Sequence, residues 1–118
     1  MHKEAIDIST KTATQLTTAK KNGQRIIAVG TTVIRALESS YSNQVFKAAS
    51  KNTSIFIKPE DTIHSCDGLI TNFHLPKSTL MCLVAAMTGY DLLMTAYKIA
   101  IEKNYRFYSF GDAMLILP

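Results

Sequence analysis

The 118-residue chain is short of several features that would place it at once. It has two cysteines, Cys66 and Cys82, far apart and without metal-ligand spacing; this usage speaks against a disulfide framework and a zinc site and suits a reducing compartment. Its longest apolar run, Leu80 to Met87, falls far below the roughly 18 residues that a membrane span needs. No apolar core follows the charges of MHKEAIDIST, so no secretory signal is indicated and a cytoplasmic location is expected. Neither GxGxxG nor a P-loop pattern occurs, which removes the motif grounds for a dinucleotide or nucleoside triphosphate site.

What is present suffices for one modest domain with one core, at 47% hydrophobic residues. A net charge of +4 permits contact with nucleic acid or a phosphorylated ligand without requiring it. The patterning alternates helices with short strands. Ile8 to Asn22 carries Ala13, Leu16 and Ala19 at helical spacing, with Ser9 as N-cap and Gly23 just past the end. A buried strand at Ile26 to Val29, a sharp Gly30-Thr31-Thr32 turn and a helix from Thr32 to Ser40 follow. Tyr41 to Asn52 is polar and reads as a loop or a frayed helical extension. TSIFI, Thr53 to Ile57, has β-branched and aromatic content typical of a strand, and Lys58 to Asp61 ends it with turn residues. His64 falls in a short polar connection and is expected to be exposed.

A further strand spans Gly68 to Thr71, and the apolar stretch to Met87 reads as a buried helix that Gly89 breaks. Tyr90 to Asn104 is an amphipathic surface helix, and YRFYSFGDAMLILP gives alternating aromatics, a Gly111-Asp112 turn and a terminal strand. The aromatics interleaved with Arg106 suit base stacking, although aromatic residues in strands more often form core. The expected class is α/β, with helices flanking a mostly parallel sheet.

Functional chemistry is densest in the elbow between Leu69-Ile70 and the apolar helix. Asn72, His74, Lys77, Ser78 and Thr79 place an amide, an imidazole, an ammonium and two hydroxyls where a strand feeds a helix, a position at which open α/β sheets bind ligands. Each also has a plainer explanation: His74 as a packed histidine, Ser78 as a helix cap, Lys77 as a solvated charge. The Gly30 turn offers free helix-start amides beside Thr31 and Thr32, suited to a carboxylate, phosphate or ribose. Arg35 and Glu38, three apart on one helix, are expected to pair across its surface.

Four stretches, MHKE, AVGTTVIRALES, LITNFHLPKSTL and YRFYSFGDAMLI, together resemble the C-terminal portion of the S-adenosylmethionine:tRNA ribosyltransferase-isomerase family of queuosine biosynthesis. The resemblance covers nearly the whole chain in the family's order. It implies transfer and isomerisation of the ribosyl part of S-adenosylmethionine, as co-substrate, onto 7-aminomethyl-7-deazaguanine at a tRNA wobble position, giving epoxyqueuosine with loss of adenine and methionine. That chemistry needs a base to take a proton beside the sulfonium, an acid to help adenine leave, and an aligned amine. Residue chemistry placed on those motifs makes His74 the first candidate for acid or base and Asp112 the second. Gly30, Thr31, Thr32 and Asn72 are candidates to hold S-adenosylmethionine, and Arg35, Lys77 and Arg106 to hold phosphate or the methionyl carboxylate. No metal is implied.

Family members are considerably longer, with an N-terminal part and an inserted β-barrel domain that this chain lacks. Residues 1–118 are accordingly expected to be a single α/β domain, a fragment of a larger two-domain enzyme, inactive alone and partnered by a tRNA anticodon and a separately encoded N-terminal part. The alternative is a non-catalytic remnant or RNA-binding module of the same fold. Pro59-Glu60-Asp61 also departs from the family's usual turn.

Overall fold

Strand β1 (Glu4–Ile8) leads through Ser9 into helix α1 (Thr10–Lys21). The Ser9 hydroxyl accepts from the Thr12 amide at 3.1 Å, which satisfies one of the helix's free donors, and Lys20 and Lys21 sit at the negative end of the dipole. Strand β2 (Ile27–Val29) turns at Gly30 into α2 (Thr31–Ser40). Strands β3 (Tyr41–Ser42) and β4 (Val45–Phe46) form a tight hairpin whose two turn residues, Asn43 and Gln44, have φ of 52° and 66°, as a primed turn requires. Strand β5 (Ala49–Thr53) and, after a long connection, β6 (Gly68–Asn72) precede α3 (Thr79–Thr88), α4 (Tyr90–Glu102) and β7 (Ala113–Ile116). The computed structural model describes residues 3–75 and 78–118.

The central sheet has the order β2-β6-β7. Strand β6 runs parallel to β2, with Ile27 opposite Gly68 and Val29 opposite Ile70, and antiparallel to β7, with Asn72 opposite Ala113. Strands β1 and β5 form a separate antiparallel pair. The chain is α/β as expected, but the sheet is not mostly parallel: among the described residues only β2 with β6 pairs that way. The reason lies in the connections. Two helices separate β6 from β7, and the chain turns by 112° between them at Gly89, so it re-enters the sheet from the opposite end. No single helix among the described residues is long and apolar enough to cross a membrane.

The core gathers around α3 and β6, where Ile34, Leu69, Leu83, Val84 and Leu93 are essentially without solvent contact. Three local expectations change. Residues 41–52 hold the β3–β4 hairpin and most of β5 instead of a loop. The TSIFI stretch is strand only at Thr53; Ile57 is buried and Phe56 exposed, without ladder partners. Residues 105–110 form a loop, with the apolar strand beginning only at Ala113.

Arg35 explains the second change and also corrects the expected pairing with Glu38. Its guanidinium is 1% exposed, pairs with Glu4 of β1, and donates to the carbonyls of Ile55 at 3.3 Å and Thr53 at 3.5 Å. A side chain thus replaces a neighbouring strand for this backbone. Glu38 instead accepts from the amides of His64 at 2.8 Å and Ser65 at 3.1 Å, fixing the long connection that leads to β6.

A buried guanidinium depends on its carboxylate. Because the Glu4 side chain is 32% exposed, Glu4→Ala is expected to cost about 2 kcal/mol, below the usual loss for a fully buried pair. Urea unfolding measures this, and a loss under about 0.5 kcal/mol would show that the pair does not hold β1 to α2.

Candidate functional site

The parallel pairing of β2 with β6 brings two turns to the same end of the sheet. At the first, Gly30 has φ of 99°, a region open mainly to glycine, and its amide donates to the carbonyl of Ile70 at 2.8 Å. At the second, β6 runs out through Asn72, and the chain passes Phe73 and His74 toward α3, whose first turn is capped by the Ser78 hydroxyl accepting from Met81 at 3.3 Å.

His74 is held from two sides. Its amide donates to the Tyr97 hydroxyl of α4 at 2.6 Å, and its Nε2 lies 2.8 Å from the Thr71 hydroxyl. Burial lowers its pKa from the ordinary 6.5, so the imidazole is neutral at pH 7. With the proton on Nε2 and donated to Thr71, Nδ1 keeps its lone pair; it has no hydrogen-bond partner among the described residues. Burial likewise raises the Tyr97 phenol, while the bond from His74 acts the other way. The ring of Tyr97 packs edge-on to Phe73 and Phe107, with centroids 5.2 and 5.8 Å away.

A cavity of about 310 Å³ opens here, lined by Asn72, His74, Leu75, Ser78, Leu80, Tyr108 and Ser109. It lies near the lower end of the size range for small-molecule sites. Asn72 and His74, expected together from sequence, share its wall. Asp112 is joined to Asn72, whose side-chain amide donates to the Asp112 carbonyl at 3.3 Å, but the Asp112 carboxylate is not in the lining. It accepts from the Arg106 amide at 2.7 Å and closes the 106–112 loop. The Arg106 guanidinium is 78% exposed and 3.9 Å from the same carboxylate. Lys77 lies outside the described residues.

The remaining candidates belong to a second cluster. The Thr32 hydroxyl donates to one Glu4 oxygen at 2.7 Å, and Arg35 holds the other. The start of α2 does meet a carboxylate, but one supplied by β1 of the same chain. Arg35, expected to hold a ligand anion, is therefore buried and already neutralised by Glu4. Thr31 is half-buried beside Gly30. Sequence reasoning missed Glu4, Thr71 and Tyr97 as partners; of these only Thr71, three residues before His74 in the same elbow, carried a local signal.

Fold and site together place the chain among α/β proteins that set a polar elbow at the carboxyl end of a parallel strand pair. The chain belongs to the queuosine biosynthesis protein family, whose model matches residues 1–116. It is 53% identical over 118 residues to the S-adenosylmethionine:tRNA ribosyltransferase-isomerase of Halothermothrix orenii, covering 99% of this chain and 35% of that protein. It is 50% identical over 117 residues to that of Carboxydothermus hydrogenoformans, again with 99% and 35% covered. The crystal structure of S-adenosylmethionine tRNA ribosyltransferase from Thermotoga maritima superposes with a TM-score of 0.88 at 45% identity, over 94% of this chain and 39% of that one. The chain thus spans about a third of the length of the curated relatives it matches.

Because burial disfavours the imidazolium, folded His74 binds a proton less readily than the unfolded chain does. The stability this contributes is complete above pH 6.5 and declines as pH falls below 6.5 through the lowered folded pKa. In an NMR titration the His74 ring is expected to protonate below 6.5. A midpoint at or above the ordinary value contradicts the buried placement.

Proposed function

We propose that this chain supplies the elbow of a tRNA ribosyltransferase-isomerase site, acting on S-adenosylmethionine and a tRNA bearing 7-aminomethyl-7-deazaguanine, in queuosine biosynthesis. The observation that carries the reading is His74: a neutral imidazole, held by Thr71 and Tyr97 on the wall of a polar cavity, inside the TNFHLPKST stretch. A sulfonium acidifies the adjacent ribose carbon, and a base kept unprotonated at neutral pH is what that proton transfer requires. His74 is the proposed base and the later proton donor to departing adenine. Asn72 orients a ribose hydroxyl from the same wall. Asp112 acts by holding the loop and by its carbonyl bond to Asn72, in place of direct proton transfer. Arg106, exposed at the loop, and Lys77 are proposed to meet tRNA phosphate, while Arg35 serves the fold.

Turnover is proposed to need the rest of the family's fold. The supporting observation is an apolar groove of about 540 Å³ between α4 and β7, where Leu92, Ile99, Leu115 and Leu117 stand at least half exposed. Strand β7 is also an open edge of the sheet. Apolar surface beside an open strand edge suits coverage by further polypeptide, and the relatives carry nearly twice as much again.

The test is transfer of ribosyl label from S-adenosylmethionine to tRNA carrying the 7-aminomethyl base, with the chain alone and with the remaining family part supplied. Activity in the mixture only is expected. In that mixture His74→Ala should lower the rate by about 10²- to 10⁴-fold. A change below about threefold assigns His74 to the fold, and silence in a mixture shown to associate favours a non-catalytic remnant.

A further inference from the structure

Tyr108 has a backbone φ of 69°, a conformation that bulky L side chains rarely adopt. The surroundings impose it. Its amide donates to the Phe73 carbonyl at 3.0 Å, its own carbonyl accepts from Gly111 at 2.9 Å, and the Asp112 amide closes onto the Arg106 carbonyl at 2.9 Å. Gly111 permits this crossing, since a Cβ there would stand 2.5 Å from the Arg106 carbonyl oxygen and 2.6 Å from that of Phe107. The strained residue gains little for the core. Tyr105 and Phe107 pack against Phe73, with ring centroids at 5.9 and 5.1 Å, whereas Tyr108 has no ring partner among the described residues and is 57% exposed.

Its position instead serves the His74 cavity. Tyr108 lines that cavity together with Asn72, His74, Ser78 and Ser109. The cavity's described polar lining is made of neutral hydrogen-bonding residues, an amide, an imidazole and two hydroxyl-bearing serines, which suit the polar edges of a nucleobase. One flat aromatic face beside several short hydrogen-bonding groups is the arrangement that receives an unstacked nucleobase.

We infer that Tyr108 is a stacking platform and that the His74 cavity takes a purine-like base. The inference rests on the proposed function in naming the two sources, the adenine of S-adenosylmethionine and the deazaguanine of the tRNA. Backbone strain at a ligand-facing aromatic is then the cost of presenting the Tyr108 ring at the cavity from a loop in which Phe107 packs against Phe73.

The test measures binding of two probes, adenosine and the free 7-aminomethyl-7-deazaguanine base, to the chain and to Tyr108→Phe and Tyr108→Gly, together with each protein's melting midpoint. The wild-type chain is expected to bind one of the probes, which identifies the source. Tyr108→Phe should retain affinity within about threefold, and Tyr108→Gly should lose at least about tenfold. Glycine adopts positive φ freely, so the melting midpoint of Tyr108→Gly should stay equal or rise while binding falls. A midpoint that drops together with binding makes Tyr108 structural and overturns the inference. So does unchanged affinity in Tyr108→Gly, or failure of the wild-type chain to bind either probe. Label transfer in the complemented mixture is a separate readout, so the stacking assignment can fail while the proposed function stands.

Discussion

The hydrogen bond from the His74 amide to the Tyr97 hydroxyl is the contact on which the candidate site depends. It ties the elbow after β6 to the middle of α4 at 2.6 Å, and the phenol ring that carries it is wedged against Phe73 and Phe107. The bond therefore brings together the elbow, the helix and, through the ring stack, the 105–112 loop that follows the helix. A buried phenol needs a polar partner, and a loop amide outside regular structure needs an acceptor, so each satisfies the other. Without it the imidazole would lose one of the two anchors that set its direction. The Thr71 hydroxyl alone would leave rotation of the backbone at 74 unopposed.

Around that bond the chain separates two kinds of polar chemistry. The Glu4, Thr32 and Arg35 cluster closes on itself: both carboxylate oxygens have partners, and the guanidinium also serves the carbonyls of Thr53 and Ile55. It welds β1 to α2 and to the irregular stretch after β5. The Asn72, His74 and Ser78 cluster stays open at a cavity wall, with Nδ1 of His74 unengaged by described neighbours. Completed networks rigidify a fold, whereas polar groups left with spare capacity at a cavity are available to a ligand. The contrast supports function at the elbow and structure at the start of α2, although both looked like ligand sites as sequence.

What was legible follows from the range of the forces involved. The helices α1, α2, α3 and α4 were readable because spacing, the Ser9 cap and the Gly89 break act within a few residues. The β1–β5 pair was not, because ASKNT has little strand propensity and acquires its form by pairing with a strand 45 residues away, Ala49 opposite Ile8 to Thr53 opposite Glu4. TSIFI failed in the opposite direction: its composition suits a strand, but Arg35 takes the carbonyls that a ladder would use. At the site, the motif residues Asn72 and His74 were visible in the elbow. The inward turn of the Asp112 carboxylate and the outward turn of Tyr108 were not, since both depend on the crossing of residues 106 and 111 in a loop that sequence patterning reads as alternating strand.

Strand β7 links the loop to the rest of the molecule through register. Ala113 pairs with Asn72 at the site end, while Ile116 pairs with Leu69 in the core. Side chains alternate across a strand, so Leu115 and Leu117 stand exposed where Ile116 between them enters the core. A slip of one residue would exchange those faces and also move the Asp112 carbonyl away from the Asn72 amide. The apolar groove and the polar cavity are thus two consequences of one pairing. Polypeptide that covers Leu115 would hold β7 in register, and so would steady Asn72 and the Tyr108 loop without touching either. In this arrangement the exposed apolar groove and the wall that carries His74 share a strand, so a contact made at the groove can steady the wall without touching it.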